Sequence, residues 1–96
     1  MSTALSFGTG RRPDGTPVLM VTGEIDMSNA GSFALALQEA AGSGSFVVDL
    51  TRVEYIDSAG LAAIFPHVEH LRLIASPLLG PVLTIAGMDD LTTIEV

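Results

Sequence analysis

A chain of 96 residues with 48% apolar and 16% charged side chains fits one globular core and excludes a disordered or two-domain protein. Eleven acidic residues against four arginines and no lysine give a net charge of −7, which argues against nucleic acid and anionic lipid as direct partners and favours a protein with a basic docking face. With no Cys there is no disulfide, thiolate metal site or redox switch, as suits a cytoplasmic protein, and no stretch suits a signal peptide or a membrane span.

Thr3 to Gly8 alternates weakly and reads as an edge strand. Arg11-Arg12-Pro13-Asp14-Gly15 is a turn, with Pro for its first corner and Gly for a position of positive φ. Val18 to Thr22 is a second strand, so residues 3 to 22 form a hairpin. Gly23-Glu24-Ile25-Asp26 leads out of it to Ser28 and Asn29, either of which can cap a helix. The spacing predicts a first helix from about Ala30 to Ala41. Ala30, Phe33, Ala34, Leu37, Ala40 and Ala41 share its apolar stripe, Ser32, Gln38 and Glu39 lie opposite, and Leu35 falls off the stripe. Gly42 and Gly44 end it.

Phe46 to Leu50 is a third strand, and its near-continuous apolar run predicts cover on both faces. A polar turn over Val53 to Ser58 follows. Leu61, Ile64, Phe65 and Val68 then sit at helical spacing, the first three expected in the core. Pro66 has no N–H for the carbonyl of Ala62, so this helix ends or kinks there. Leu71 to Ala75 is a fourth strand. Ser76-Pro77 offers a cap and a first helical residue, while Gly80-Pro81 leaves the start of the third helix open. Val82, Leu83, Ile85 and Ala86 continue it, Gly87 stops it, and Thr92 to Val96 reads as a last strand.

Strands alternating with helices after an opening hairpin imply an α/β fold. The expected form is a single domain over residues 1–96, with a mostly parallel sheet of four to five strands and about three short helices. The Gly23–Asp26 and Val53–Ser58 turns leave the carboxyl ends of parallel strands, the edge at which open α/β sheets bind ligands or partners. Asp26, Asp57 and Ser58 are therefore expected on one surface. Asp57 as N-cap leaves Ser58 at the first helical position with its hydroxyl outward, beside free backbone N–H groups and the positive end of the helix dipole. Gly60 in that first turn implies close approach of another backbone or of a partner. By spacing alone, Ser58 is an ordinary capping hydroxyl, and Glu24 and Asp26 are solvated turn acids.

Other chemistries find little support. His67 and His70 lack a third metal ligand, no G-x-S-x-G elbow accompanies either His, and a phosphate-binding loop needs a Lys. No cofactor is expected.

VVDLTRVEYIDSAGLAAIF resembles the core signature of STAS domains, the fold of bacterial anti-sigma-factor antagonists. GEIDMSNAGSFALALQEA is similar to their preceding turn and first helix, and GPVLTIAGMDDL to their later helix. The resemblance implies a non-enzymatic cytoplasmic switch. Ser58 corresponds to the serine phosphorylated by an anti-sigma factor that is also a serine kinase, and phosphorylation abolishes binding. Asp26 and Asp57 correspond to acidic positions bordering it, and with Ser58 and Gly60 they make up the expected partner-binding set. The alternative is a STAS subunit that docks on the ATPase of a lipid-transport complex without phosphorylation. Pro66 gives this chain a shorter second helix than family members usually have, and the sequence stops at Val96 where many relatives add a final helix. The oligomeric state is left open, since the first strand is free to pair with another copy.

Overall fold

The pleat decides which side chains meet. In β2 (Pro17–Ile25) Leu19, Val21 and Ile25 are buried on one face while Met20 is exposed on the other, and β4 (Leu71–Ala75) buries Leu71, Leu73 and Ala75 in the same alternation. The computed structural model describes residues 4–42 and 44–95. Within it, β1 (Ser6–Arg11) pairs antiparallel with β2, and β2, β3 (Phe46–Ile56), β4 and β5 (Thr93–Glu95) run parallel in the order β1-β2-β3-β4-β5.

The opening strand is shifted from its expected span of Thr3 to Gly8, of which Thr3 lies outside the described residues. Its register is set by the turn, not by its own weak alternation. Arg11 still pairs with Pro17, and the chain reverses between Arg12 and Thr16 around Gly15, whose φ is 90°. β3 is also longer than Phe46 to Leu50, because residues 51–56 continue as strand where a turn was expected. Arg52 pairs with Thr22, Val53 with Gly23 and Ile56 with Ile25, and an extra residue in β3 opposite each of the steps Met20–Thr22 and Gly23–Glu24 of β2 is taken up as a bulge that keeps the two strands together. The polar Thr51, Arg52 and Glu54 are exposed on this extension, while Val53 and Ile56 are buried.

Helix α1 (Ala30–Ala41) has the expected span and buries Phe33 and Leu37, whereas Leu35 is 61% exposed. α2 (Ser58–Ile64) stops just before Pro66 and tightens into a 3₁₀ turn over Phe65–His67. Leu61 is half-buried and Ile64 fully buried, but Phe65 lies in that tighter turn and is 44% exposed, contrary to its expected place in the core. The Ser76 hydroxyl accepts the Leu79 N–H in a turn, so α3 begins at Gly80 and runs to Ile85. Gly87, with φ 84°, ends that segment before a 3₁₀ turn over Met88–Asp90.

Each parallel connection joins neighbouring strands, and right-handed crossovers in that order put every helix on the same face. The core agrees. Phe33, Leu37, Ile64, Leu79, Leu83 and Met88 form one cluster with the inward residues of the sheet.

The opposite face has no helical layer, so the cover expected over both faces of Phe46–Leu50 takes another form. Val47 shares a cross-sheet row with Val18, Arg72 and Thr93, is fully buried, and stands outside the helix-side cluster. Glu95 bridges Arg12 at 3.2 Å and Arg72 at 2.7 Å, carrying a chain of side chains across that row from the hairpin turn to the last strand. The Arg12 hydrogen bond, helped by the charges of both arginines, holds the Glu95 carboxyl below its ordinary range. The bridge therefore contributes stability at neutral pH and is lost as pH falls through that lowered value.

Phe33→Ala should reduce unfolding free energy by about 3–5 kcal/mol. Leu35→Ala on the same helix should change it by no more than about 0.5 kcal/mol. Urea denaturation of the two variants checks the assignment of the buried stripe.

Candidate functional site

β2 and β3 end side by side, with Ile25 opposite Ile56, and each strand turns out into a loop and a helix. Asp57, the first residue after β3, fastens the two loops together. Its N–H donates to the Ile25 carbonyl at 3.1 Å. Its Oδ2 accepts the Met27 N–H at 3.0 Å, and its Oδ1 accepts those of Ala59 and Gly60 at 2.9 and 3.1 Å. The extended backbone of Asp57 (φ −102°, ψ −174°) is the conformation that lets a side chain cap the helix it precedes. One carboxylate thus caps α2 and braces the loop entering α1.

That second loop is closed by its own side chains. Asp26 Oδ1 accepts both the N–H and the hydroxyl of Ser28. The side-chain bond from Ser28, then its backbone bond, hold the Asp26 carboxyl below its usual range against a smaller opposing effect of desolvation. Asn29 stands at the N-cap position of α1 but does not cap it through its side chain. Its Oδ1 instead accepts the Asp26 N–H at 2.9 Å, and its Nδ2 donates to the Glu24 carbonyl at 2.8 Å. The sequence marks Ser28 and Asn29 as polar loop residues before a helix, and bonds to Asp26 and Glu24, two to five residues back, tie both into the loop.

Ser58 opens α2 and is exposed, and among the described residues its hydroxyl forms no hydrogen bond. Asp26, Asp57 and Ser58 come together on the edge where β2 and β3 end, as the topology predicts. Gly60 behaves otherwise. It is buried, and a Cβ on it would lie 2.7 Å from both Ile25 Cγ2 and Ile56 Cγ1. The close neighbours are two core side chains, not a second backbone. Met27 is a contact candidate that the pattern does not reveal, since an apolar residue in a polar loop has no periodicity to mark it. It is 82% exposed and is held next to Asp57 by its own N–H.

His67 packs its ring edge against Phe46, with centroids 5.9 Å apart and planes at 82°. Among the described residues no three His, Cys, Asp or Glu side chains form a group able to hold a metal. No helix of the described residues is long and apolar enough to cross a membrane.

The family described as "Mlab, STAS domain" matches residues 9–93. This chain belongs to the STAS family. The STAS domain is also similar to solved structures. An anti-sigma factor antagonist from Mycobacterium paratuberculosis superposes with a TM-score of 0.85 at 24% identity, covering 96% of this chain and 86% of that one. The anti-sigma factor antagonist SpoIIAA in its unphosphorylated form gives 0.71 at 15% identity, covering 95% and 89%. An antisigma-factor antagonist STAS domain from Rhodobacter sphaeroides gives 0.54 at 18%, covering 96% of each chain. These likenesses establish the fold. Comparison with curated proteins finds no match by sequence.

Asp57→Ala should destabilise the domain by about 1 kcal/mol through loss of the cap. It should also accelerate hydrogen exchange at the amides of Met27, Ala59 and Gly60 together. Gly60→Ala should cost about 1–3 kcal/mol by forcing Ile25 and Ile56 aside. The Ser28 amide should report on Asp26. Because the Asp26 carboxyl is held below its ordinary value, its loop bonds persist above that range and weaken only as pH falls through the lowered pKa. An NMR titration of the Ser28 amide shift checks that order.

Proposed function

We propose that this STAS domain is a cytoplasmic anti-sigma-factor antagonist without catalytic activity of its own. It binds an anti-sigma factor that is also a serine kinase, and phosphorylation of Ser58 ends the binding. The observation that carries this reading is the contrast between two serines on one edge. The Ser28 hydroxyl is engaged by Asp26, whereas that of Ser58 is exposed and forms no hydrogen bond among the described residues. The solved neighbours named as anti-sigma factor antagonists, one of them in an unphosphorylated form, support the same reading.

The transfer itself belongs to the kinase. A bond forms between Ser58 Oγ and the γ-phosphorus of ATP, the bond from that phosphorus to the bridging oxygen of ADP breaks, and the hydroxyl proton passes to a base of the kinase. Asp57 is ill-suited to be that base, since main-chain donors already occupy both its oxygens. The phosphate adds about −1.5 to −2 charges next to Asp57 on a surface already bordered by Asp26. A partner basic enough to seek this acidic edge gains Coulomb attraction from that charge, so charge alone does not release it. What removes it is the bulk and hydration of a phosphate where an exposed hydroxyl and the Met27 side chain had been covered.

Incubation with an anti-sigma kinase and ATP should add one phosphate, mapped by mass spectrometry to Ser58. The modified protein should bind that kinase at least about tenfold more weakly, a change of roughly 1.4 kcal/mol. Ser58→Ala should bind and resist modification, and Ser58→Asp should weaken binding only in part, having less charge and fewer acceptor oxygens. Modification elsewhere, or binding indifferent to it, rejects the switch.

The family description, which names Mlab alongside the STAS domain, favours a second reading: permanent docking of the same edge on the ATPase of a lipid-transport complex. Stable binding to such an ATPase that is unchanged in Ser58→Ala would select it.

A further inference from the structure

The helical segment after β4 is apolar on both its inner and its outer side. The Gly80 N–H already reaches the Ser76 carbonyl at 2.9 Å, so helical winding runs from Ser76 through α3. Leu79 and Leu83 turn inward and are buried, while Leu78, Val82 and Ile85, spaced i, i+4 and i+7, form an outward ridge exposed by 72, 41 and 88%. A lone exposed residue such as Leu35 is ordinary, but a helix apolar all round belongs in an interior or an interface. No side chain from Ser76 to Met88 is charged. Charge begins where the ridge ends. Asp89 and Asp90 follow Ile85 by four and five residues, both exposed, and with Glu69 and Leu91 they line a cleft of about 490 Å³. Its lining also includes His70 and Arg72, and the Arg72 guanidinium is already bonded to Glu95 at 2.7 Å. α3 returns against the direction of the parallel strands, so this end lies at their amino edge, away from Ser58.

We propose that the α3 ridge is a second docking surface, and that its occupant is an amphipathic helix of a partner protein, apolar along one face and flanked by Lys or Arg. Residues at i, i+4 and i+7 supply the apolar contact that such a helix packs against. The carboxylates of Glu69, Asp89 and Asp90 at the end of the ridge set the sign of the flanking charge. A second copy of this chain is the poorer fit. No arginine stands in any of its helices, so two copies facing each other across α3 bring acid to acid. An anionic membrane is repelled by the same carboxylates. The surface lies at the other end of the domain from Ser58, so the proposal goes beyond the phosphorylation switch and holds whether or not Ser58 is modified.

The probe is a synthetic amphipathic helix of leucine and lysine, titrated into the isotope-labelled full chain and followed by NMR, beside a twin in which glutamate replaces lysine. The lysine peptide should bind and shift amides within residues 78–91, and the glutamate twin should bind at least about tenfold more weakly. Ile85→Ser should weaken binding by roughly tenfold, whereas Leu35→Ser on α1 should leave it unchanged, with circular dichroism showing both variants folded. Asp89→Asn combined with Asp90→Asn should weaken the lysine peptide and flatten its dependence on salt. Absence of binding, shifts confined to other residues, or a folded Ile85→Ser that binds as the unaltered chain does overturns the proposal. So does a dimer in sedimentation equilibrium that Ile85→Ser dissolves, which gives the ridge to a second copy. Flotation of the chain with phosphatidylcholine vesicles, lost in Ile85→Ser, gives it to a membrane and overturns the proposal as well.

Discussion

The carboxylate of Asp57 is the joint on which this site depends. Three backbone N–H groups from two loops converge on its two oxygens, and its own N–H reaches back to the end of β2. Two loops that would each be free to wander are thereby held as one surface. A single residue, by its side chain and its own N–H, makes four otherwise unmet groups into one network: two first-turn donors of a helix, a loop amide and a strand-terminal carbonyl. Because the aspartate is fully engaged, the hydroxyl of the next residue is left to face solvent.

Gly60 supplies the complementary constraint. α2 lies so near the ends of β2 and β3 that even a methyl group at its third residue would enter Ile25 and Ile56. The first turn of α2 is therefore seated directly on the core, and Ser58 is presented from a rigid base. Small-residue contact below and a bonded carboxylate in front fix the backbone from which Ser58 extends.

The sheet is dressed on one side only. Consecutive parallel strands with right-handed crossovers send α1, α2 and α3 to one face, and the other relies on the side-chain chain from Arg12 through Glu95 to Arg72. This arrangement segregates charge. All four arginines stand in strands or in the hairpin turn, so no helix contains a cation. Five of the eleven acidic residues (Asp14, Glu24, Asp49, Glu54 and Glu95) lie in strands or that turn as well, and the other six, Asp26 and Asp57 among them, stand in helices, 3₁₀ turns and loops that hold no arginine. Arg12 and Arg72 pair with Glu95 within the sheet side.

Much of this was legible in the chain itself. The 3.6-residue stripe of Phe33 and Leu37 between Asn29 and Gly42 gave the limits of α1, and alternation gave β4 and the centre of β2. Pro66 dictated the end of α2 because its missing N–H and ring clash act locally. Asp57 followed by Ser58 announced a capped helix start by residue chemistry alone, and the parallel topology brought Asp26 to the same edge. What the sequence by itself did not determine arises from contacts distant along the chain. The last six residues of β3 look like a turn, because Arg52, Glu54 and Tyr55 interrupt the apolar run; pairing with β2, with the extra residues bulged out of β3, makes them strand. The reason for Gly60 lies in two isoleucines from different strands. Asn29 is a local exception, drawn from capping α1 to bracing the loop by Asp26 and Glu24, three and five residues back. Arg12 and Glu95, 83 positions apart, meet in a hydrogen-bonded ion pair that no local pattern announces. Local pattern decides where elements start and stop, since hydrogen bonds four residues apart and side-chain period are local. Only the assembled sheet decides which loop leans on which, because those partners meet in space and not in sequence.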